Sequence, residues 1–206
     1  MKKIMFNDKM CLTQAVIEGR KRQTRQIVPQ SLIDKYEEWY DDVCCIARPA
    51  GSTIETLRNW LLRKHTRYRV GEVVAVAQSY RDCGGLDEKG IPRWNIIEQV
   101  AGAISAGWDN KMFVKSELMP HQIRITDVRV ERLQDITGEC CLKEGVYEDG
   151  GDDAFIPHYF YNYENSGYDG FDLPQMAYAD LINRISGKGT WESNPYVFVY
   201  DFELVR

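Results

Sequence analysis

Metal-ligand spacing is missing from this chain, and histidine is scarce, with only three residues, His65, His121 and His158, in unrelated segments. The cysteines are Cys11, Cys44, Cys45, Cys83, Cys140 and Cys141. Two adjacent pairs account for four of these six, and neither C-x-x-C nor a Cys/His pattern occurs, which argues against a zinc site and against a disulfide framework. Long hydrophobic runs are also absent. Nothing approaches the ~20 apolar residues of a membrane-spanning helix, and the first residues carry no apolar leader core. There is no internal repeat and no low-complexity tail. These absences read as a reduced, cytoplasmic protein with no metal, no cofactor and no membrane partner. The net charge of −5 excludes wholesale coating of nucleic acid. It does not exclude a local basic pocket, because a field is set by where the charges sit.

What is present is the composition of one soluble globular domain: 206 residues, 44% hydrophobic and 28% charged, enough to bury a sizeable core. Twelve Tyr and five Trp supply core mass and flat surfaces on which bases stack. "KKIMF" reads as a short strand. Asn7 or Asp8 then caps a helix over residues 9–18 with Leu12, Ala15 and Val16 on one face and Gly19 as terminator. Residues 30–69 read as helical, and Gly71 as a turn before a buried strand from Val73 to Ala77. In "HQIRITDVRVERL" the apolar residues shift phase, from Ile123 and Ile125 to Val128 and Val130, which predicts a bulge or bend at Thr126-Asp127.

Thr137 then caps a short helix that Gly145 ends, and residues 147–170 read as an acidic, aromatic loop whose 159–163 cluster packs over the core. A helix follows over about 173–186. The last strand, "NPYVFVYDFELV", sets Tyr196, Phe198, Tyr200, Phe202 and Leu204 on one face. Short strands dominate, so a compact barrel with helices packed on it is the simplest architecture.

One stretch departs from the acidic balance. In "GRKRQTRQ", Arg20, Lys21, Arg22 and Arg25 surround Thr24. Read alone, this is a solvated basic turn, Thr24 is an ordinary strand former, and Cys140 and Cys141 are core residues. Together, however, "EGRKRQTR", the central "ITDVRVERLQDIT…CLKEGV" and the terminal "NPYVFVYDFELV" resemble the ASCH domain family of the PUA-like superfamily. The similarity is greatest to long bacterial and prophage-encoded members, in which Gly-Arg-Lys-x-x-Thr-Arg recurs. It spans the two ends and the middle of the chain.

The resemblance implies an α+β fold: a small PUA-like (ASCH) β-barrel with packed helices, one domain over residues 1–206, and large insertions at about 30–69, 81–115 and 147–190. It implies RNA, or a nucleotide or modified nucleoside, as ligand in a cleft beside the signature. One branch is similar in motif to small amidohydrolases that remove the acetyl group from N4-acetylcytidine. There the signature Lys and Thr work with a Glu from the helix after the central strand. Residue by residue, these fall on Lys21, Thr24 and Glu144.

Amide hydrolysis needs a nucleophile, a base and an acid for the leaving amine. Thr24 supplies a hydroxyl, Lys21 a base if burial strips its proton, and Glu144 an acid if the helix C-terminus favours its neutral form. Arg20, Arg22 or Arg25 would hold phosphate or an oxyanion. Two departures favour recognition over turnover. Gln26 stands where the amidohydrolase branch has Arg, and Gln78 where related long members have Glu. An amide reads a base edge but moves no proton. The sequence therefore ranks an RNA- or nucleotide-binding module first and an amidohydrolase second. Third comes a phage accessory protein whose insertions bind another protein.

Overall fold

The computed structural model describes residues 1–44, 53–83, 104–149, 158–161 and 170–205. Parts of the expected insertions at 81–115 and 147–190, as well as Cys45 and Tyr163, lie outside the described residues. The strands are β1 (Lys3–Ile4), β2 (Gln23–Ile27), β3 (Val73–Val76), β4 (Gln122–Arg132), β5 (Tyr147–Asp149), β6 (His158–Phe160) and β7 (Tyr196–Leu204). The helices are α1 (Leu12–Ile17), α2 (Gln30–Cys44), α3 (Thr53–Lys64), α4 (Ile104–Gly107), α5 (Gly138–Lys143), α6 (Pro174–Ser186) and α7 (Thr190–Ser193). This is a mixed α+β chain. Among the described residues, no helix is long and apolar enough to cross a membrane.

Five strands form one sheet in the order β1-β3-β4-β7-β2, with β1 and β3 parallel and the other neighbours antiparallel. Among the described residues β1 and β2 are the outer strands of this sheet, so the hydrogen bonding runs open from one to the other. The phase shift expected in β4 falls where the register with β7 slips, between Ile125 and Asp127. The extra residue turns Val128 and Val130 to the face that Ile123 and Ile125 occupy.

β7 differs from its simple alternating reading. Tyr196, Phe198, Tyr200 and Phe202 are buried, but so are Val197 and Val199, while Leu204 is exposed. A strand paired on both sides and covered on both faces has no solvent face to mark. The apolar core gathers on these central strands, where Phe6 packs on Phe202 with ring centroids 5.8 Å apart and Tyr68 on Tyr200 at 5.3 Å. Tyr36 of α2 and Trp60 of α3 meet edge-on at 5.7 Å, which ties the two helices to each other over that core.

Local signals set three element ends. Gly19, Gly71 and Gly145 all have φ near the left-handed region, at 74°, 82° and 104°, where a side chain would be strained. Thr137 caps α5 by accepting a hydrogen bond from the Cys140 amide at 3.2 Å. The start of α1 departs from expectation. Asn7 takes the Met10 amide at 3.2 Å in a preceding turn, and the helix begins only at Leu12, after Cys11 in the left-handed conformation. Residues 147–170 are not all loop, because β5 and β6 pair there as a short antiparallel ladder.

Candidate functional site

The register of β2 on β7 sorts the signature into two sets. Gln23 faces Asp201 and Arg25 faces Val199, while Thr24 faces Tyr200 and Gln26 faces Phe198. Directly opposed residues share a face of the sheet. Gln23 and Arg25 therefore lie on the face that carries Asp201, Arg129 and Glu131, while Thr24 and Gln26 lie on the aromatic face. Arg25 turns away from Thr24, as the period of two requires.

On the polar face, Lys21, Arg25 and Glu144 make a buried ionic cluster. Lys21, only 2% exposed, donates from Nζ to Glu144 Oε2 at 2.6 Å and to the Glu144 carbonyl at 2.7 Å. Arg25 Nη1 donates to Glu144 Oε1 at 2.9 Å and to Gln23 Oε1, and Arg25 Nη2 reaches Glu131 at 3.3 Å. Gln23 in turn donates to Asp201, which also pairs with Arg129. Each side chain here has a charged or amide neighbour, as burial demands. One donor is left over. The Arg25 Nε is buried and has no hydrogen-bond partner among the described residues.

Burial pushes the Lys21 ammonium below its ordinary value, with Glu144 pulling the other way and Arg25 adding to the push. Burial also disfavours the Arg25 charge, but Glu144 and Glu131 outweigh it and hold Arg25 above its ordinary value. Tyr178 of α6 lies over the cluster with its ring 6.0 Å from the Arg25 guanidinium. Burial, reinforced by Glu144, holds its phenol well above the ordinary range. Cys141 is pushed up to about 12 by burial, which makes it a core thiol. Glu144 stands at the C-terminal end of α5, and Lys21 and Arg25 each take one of its carboxylate oxygens.

Lys21, Thr24, Arg25, Gln26 and Glu144 all line one pocket of about 140 Å³. Both faces of β2 reach it because β2 is the last strand of the sheet. Met5, Phe6 and Asn7 form one wall, and Tyr178, Leu181, Ile182 and Ile185 of α6 the other. Three expected residues stand elsewhere. Arg20 pairs with Glu18 at 2.6 Å and lies 5.9 Å from the Tyr147 ring. Arg22 is exposed, and Gln78 is buried against His121 Nδ1 at 2.7 Å. Arg20 and Arg25 are held by carboxylates, and Arg25 is inside the protein.

Gln23, Glu131 and Tyr178 belong to the cluster and were not foreseen. Gln23 sits midway between Lys21 and Arg25, so the period of two along a strand was the available signal for it. Nothing local marks the other two. Among the described residues, no group of three or more His, Cys, Asp or Glu is gathered to hold a metal.

No protein-family model matches this chain, and no curated protein does. Among solved structures, the chain is similar to an ASCH domain from Lactobacillus crispatus JV V101, with a TM-score of 0.37 and 11% identity over 96% of this chain and 72% of that one.

Proposed function

We propose that the pocket at the edge of β2 is the recognition site of an ASCH-type module of the PUA-like class, and that it takes the base of a nucleoside or of an RNA nucleotide. The observation that carries this reading is the Arg25 Nε–H: a buried donor, without a hydrogen-bond partner among the described residues, on a side chain that lines the pocket. A buried donor left unpaired costs about 1–3 kcal/mol, which a ligand carbonyl or ring nitrogen recovers. The same pocket is lined by complementary groups that a base edge needs. They are the Gln26 amide, the Thr24 hydroxyl and, along the free side of an outer strand, backbone N–H and C=O groups. At about 140 Å³ the pocket is smaller than the several hundred Å³ of sites for drug-sized ligands, so it suits one flat ring or a small acyl group.

The test is a titration of cytidine and N4-acetylcytidine followed by backbone amide resonances. The expected result is shifts at Thr24, Gln26 and Glu144, lost in Arg25→Lys, which has no Nε–H of this geometry. Binding with no change at those positions would overturn the reading.

One feature favours hydrolysis as a second reading, namely that Lys21, whose burial lowers its proton affinity, lines the same pocket as Thr24. In that reaction the Thr24 oxygen bonds the acyl carbon as its proton passes to neutral Lys21. Lys21 then returns the proton to the exocyclic nitrogen as the C–N bond breaks, and water cleaves the resulting ester. Release of cytidine from N4-acetylcytidine, abolished in both Lys21→Ala and Thr24→Ala, is what this reading requires, with Glu144→Gln, which keeps an acceptor for Lys21, reduced but folded. Binding without release leaves the recognition module.

A further inference from the structure

Met5, Phe6 and Asn7, which wall the base pocket, follow directly on β1, and residues 1–3 at the start of the same segment wall a second, more open concavity of about 400 Å³. Lys2, Lys3, Arg67 and Lys115 line it. They are unlike the cations of the signature. Lys2, Arg67 and Lys115 are exposed, and among the described residues Arg67 and Lys115 have no carboxylate within ion-pair distance. Lys2 pairs with Glu72 at 3.0 Å, while Glu117, the acidic residue on the rim, accepts from the Ser116 hydroxyl at 2.8 Å.

Several of these cations are fixed in place. Lys3 Nζ is held by the carbonyls of Met112 at 2.6 Å and Val114 at 3.0 Å, both of which are neutral. Lys2 Nζ and the Arg67 guanidinium both sit against the ring of Tyr68, at 5.8 and 5.5 Å from its centroid. Between the two carbonyls that hold Lys3 lies Phe113, a large aromatic ring left 60% exposed. A chain with net charge −5 leaves cations grouped and under-neutralised in this concavity, and an exposed ring directly precedes Val114 and Lys115 of its lining, so the surface is cationic and suited to an anionic ligand that can also stack.

From this we infer that the cleft of Lys2, Lys3, Arg67 and Lys115 holds the phosphate backbone of a single-stranded RNA while Phe113 stacks one of its bases. Charge attracts the backbone and the ring takes any base, the combination that single strands require. The step from Lys3 to Met5 and Phe6 at the base pocket covers two or three residues, roughly 7–10 Å of extended chain. A strand lying in the cleft therefore reaches the pocket with a neighbouring nucleotide. That last link rests on the proposed reading of the pocket; the cleft itself does not.

Fluorescence anisotropy with an unmodified, labelled oligoribonucleotide of about eight bases tests the cleft, and nucleoside titration tests the pocket separately. For the cleft, Arg67→Glu combined with Lys115→Glu, both at exposed positions, should weaken oligomer binding at least tenfold. It should also flatten the slope of log affinity against log salt by roughly 1.4, at about 0.7 per phosphate contact on a single strand. Phe113→Ala should cost about tenfold, and the charge-conserving pair Arg67→Lys with Lys115→Arg should bind as wild type. Nucleoside binding in the pocket should be unchanged in all of these variants.

Wild-type oligomer affinity in the double charge reversal would overturn the proposal. So would equal affinity for inorganic phosphate and the oligomer, because a lone-anion site uses neither the strand nor Phe113. Failure of nucleoside binding, with the oligomer still held through the cleft, would sink the pocket reading alone.

Discussion

Arg20, Lys21, Arg22 and Arg25 form the densest run of cations in the sequence, whereas Lys2, Lys3, Arg67 and Lys115 are scattered along it. Folding reverses their apparent roles. In the first group, Lys21 and Arg25 are buried on Glu144 and Arg20 is paired with Glu18. In the second, Arg67 and Lys115 stay exposed around a concavity, with no carboxylate in ion-pair range among the described residues. Clustering in sequence therefore says little about the field a protein presents. A cation in contact with a buried carboxylate is part of the structure; one that is exposed and under-neutralised is available to an anion.

This contrast breaks most visibly at Glu144. Removing the shared carboxylate leaves two buried cations without their principal counter-charge, so Glu144→Ala should destabilise the fold by about 3–5 kcal/mol in urea unfolding. Arg67→Ala or Lys115→Ala should stay within about 0.5 kcal/mol of wild type in the same assay. A small loss in Glu144→Ala would mean that the cluster relaxes to solvent and that the two groups of cations differ little in energy.

A middle-sized effect sits at Lys21. Its folded proton affinity lies below its unfolded one, so between the two values the unfolded chain holds more protons. Stability should therefore rise with pH through that window, which ends at the ordinary lysine value of 10.5. Lys21→Met should remove this rise. Denaturant midpoints measured from neutral to alkaline pH decide it, and parallel curves for the two proteins would refute it.

The smallest effect is expected at the signature's outer cations. Arg20→Ala combined with Arg22→Ala should change stability by no more than about 0.5 kcal/mol, since exposed pairs contribute little. It should change oligoribonucleotide affinity less than twofold. A tenfold loss would return phosphate binding to the signature and sharpen the comparison in the opposite direction.

Much of the local structure was legible. The bulge in β4, the Thr137 cap, the glycine stops at Gly19, Gly71 and Gly145 and the extent of α6 all follow from chemistry within a few residues. The pairing of β5 with β6 was not read, because three-residue strands carry too few alternations to stand out from an acidic loop. The start of α1 was missed by a few residues because Asn7 caps a turn as readily as a helix.

For the site, sequence alone determined which residue types were at hand and which of them alternate along β2. It did not determine what they meet. Glu144 lies 123 residues from Lys21 and 119 from Arg25, and Asp201 lies 178 from Gln23. Only the sheet order and the end of α5 bring them within hydrogen-bond distance. Tertiary structure alone decided which cations were neutralised, which donor was left without a partner and which charges were left facing outward. Caps, turns and phase depend on neighbours along the chain, but the energy of a charge depends on its burial and on counter-charges brought near through space.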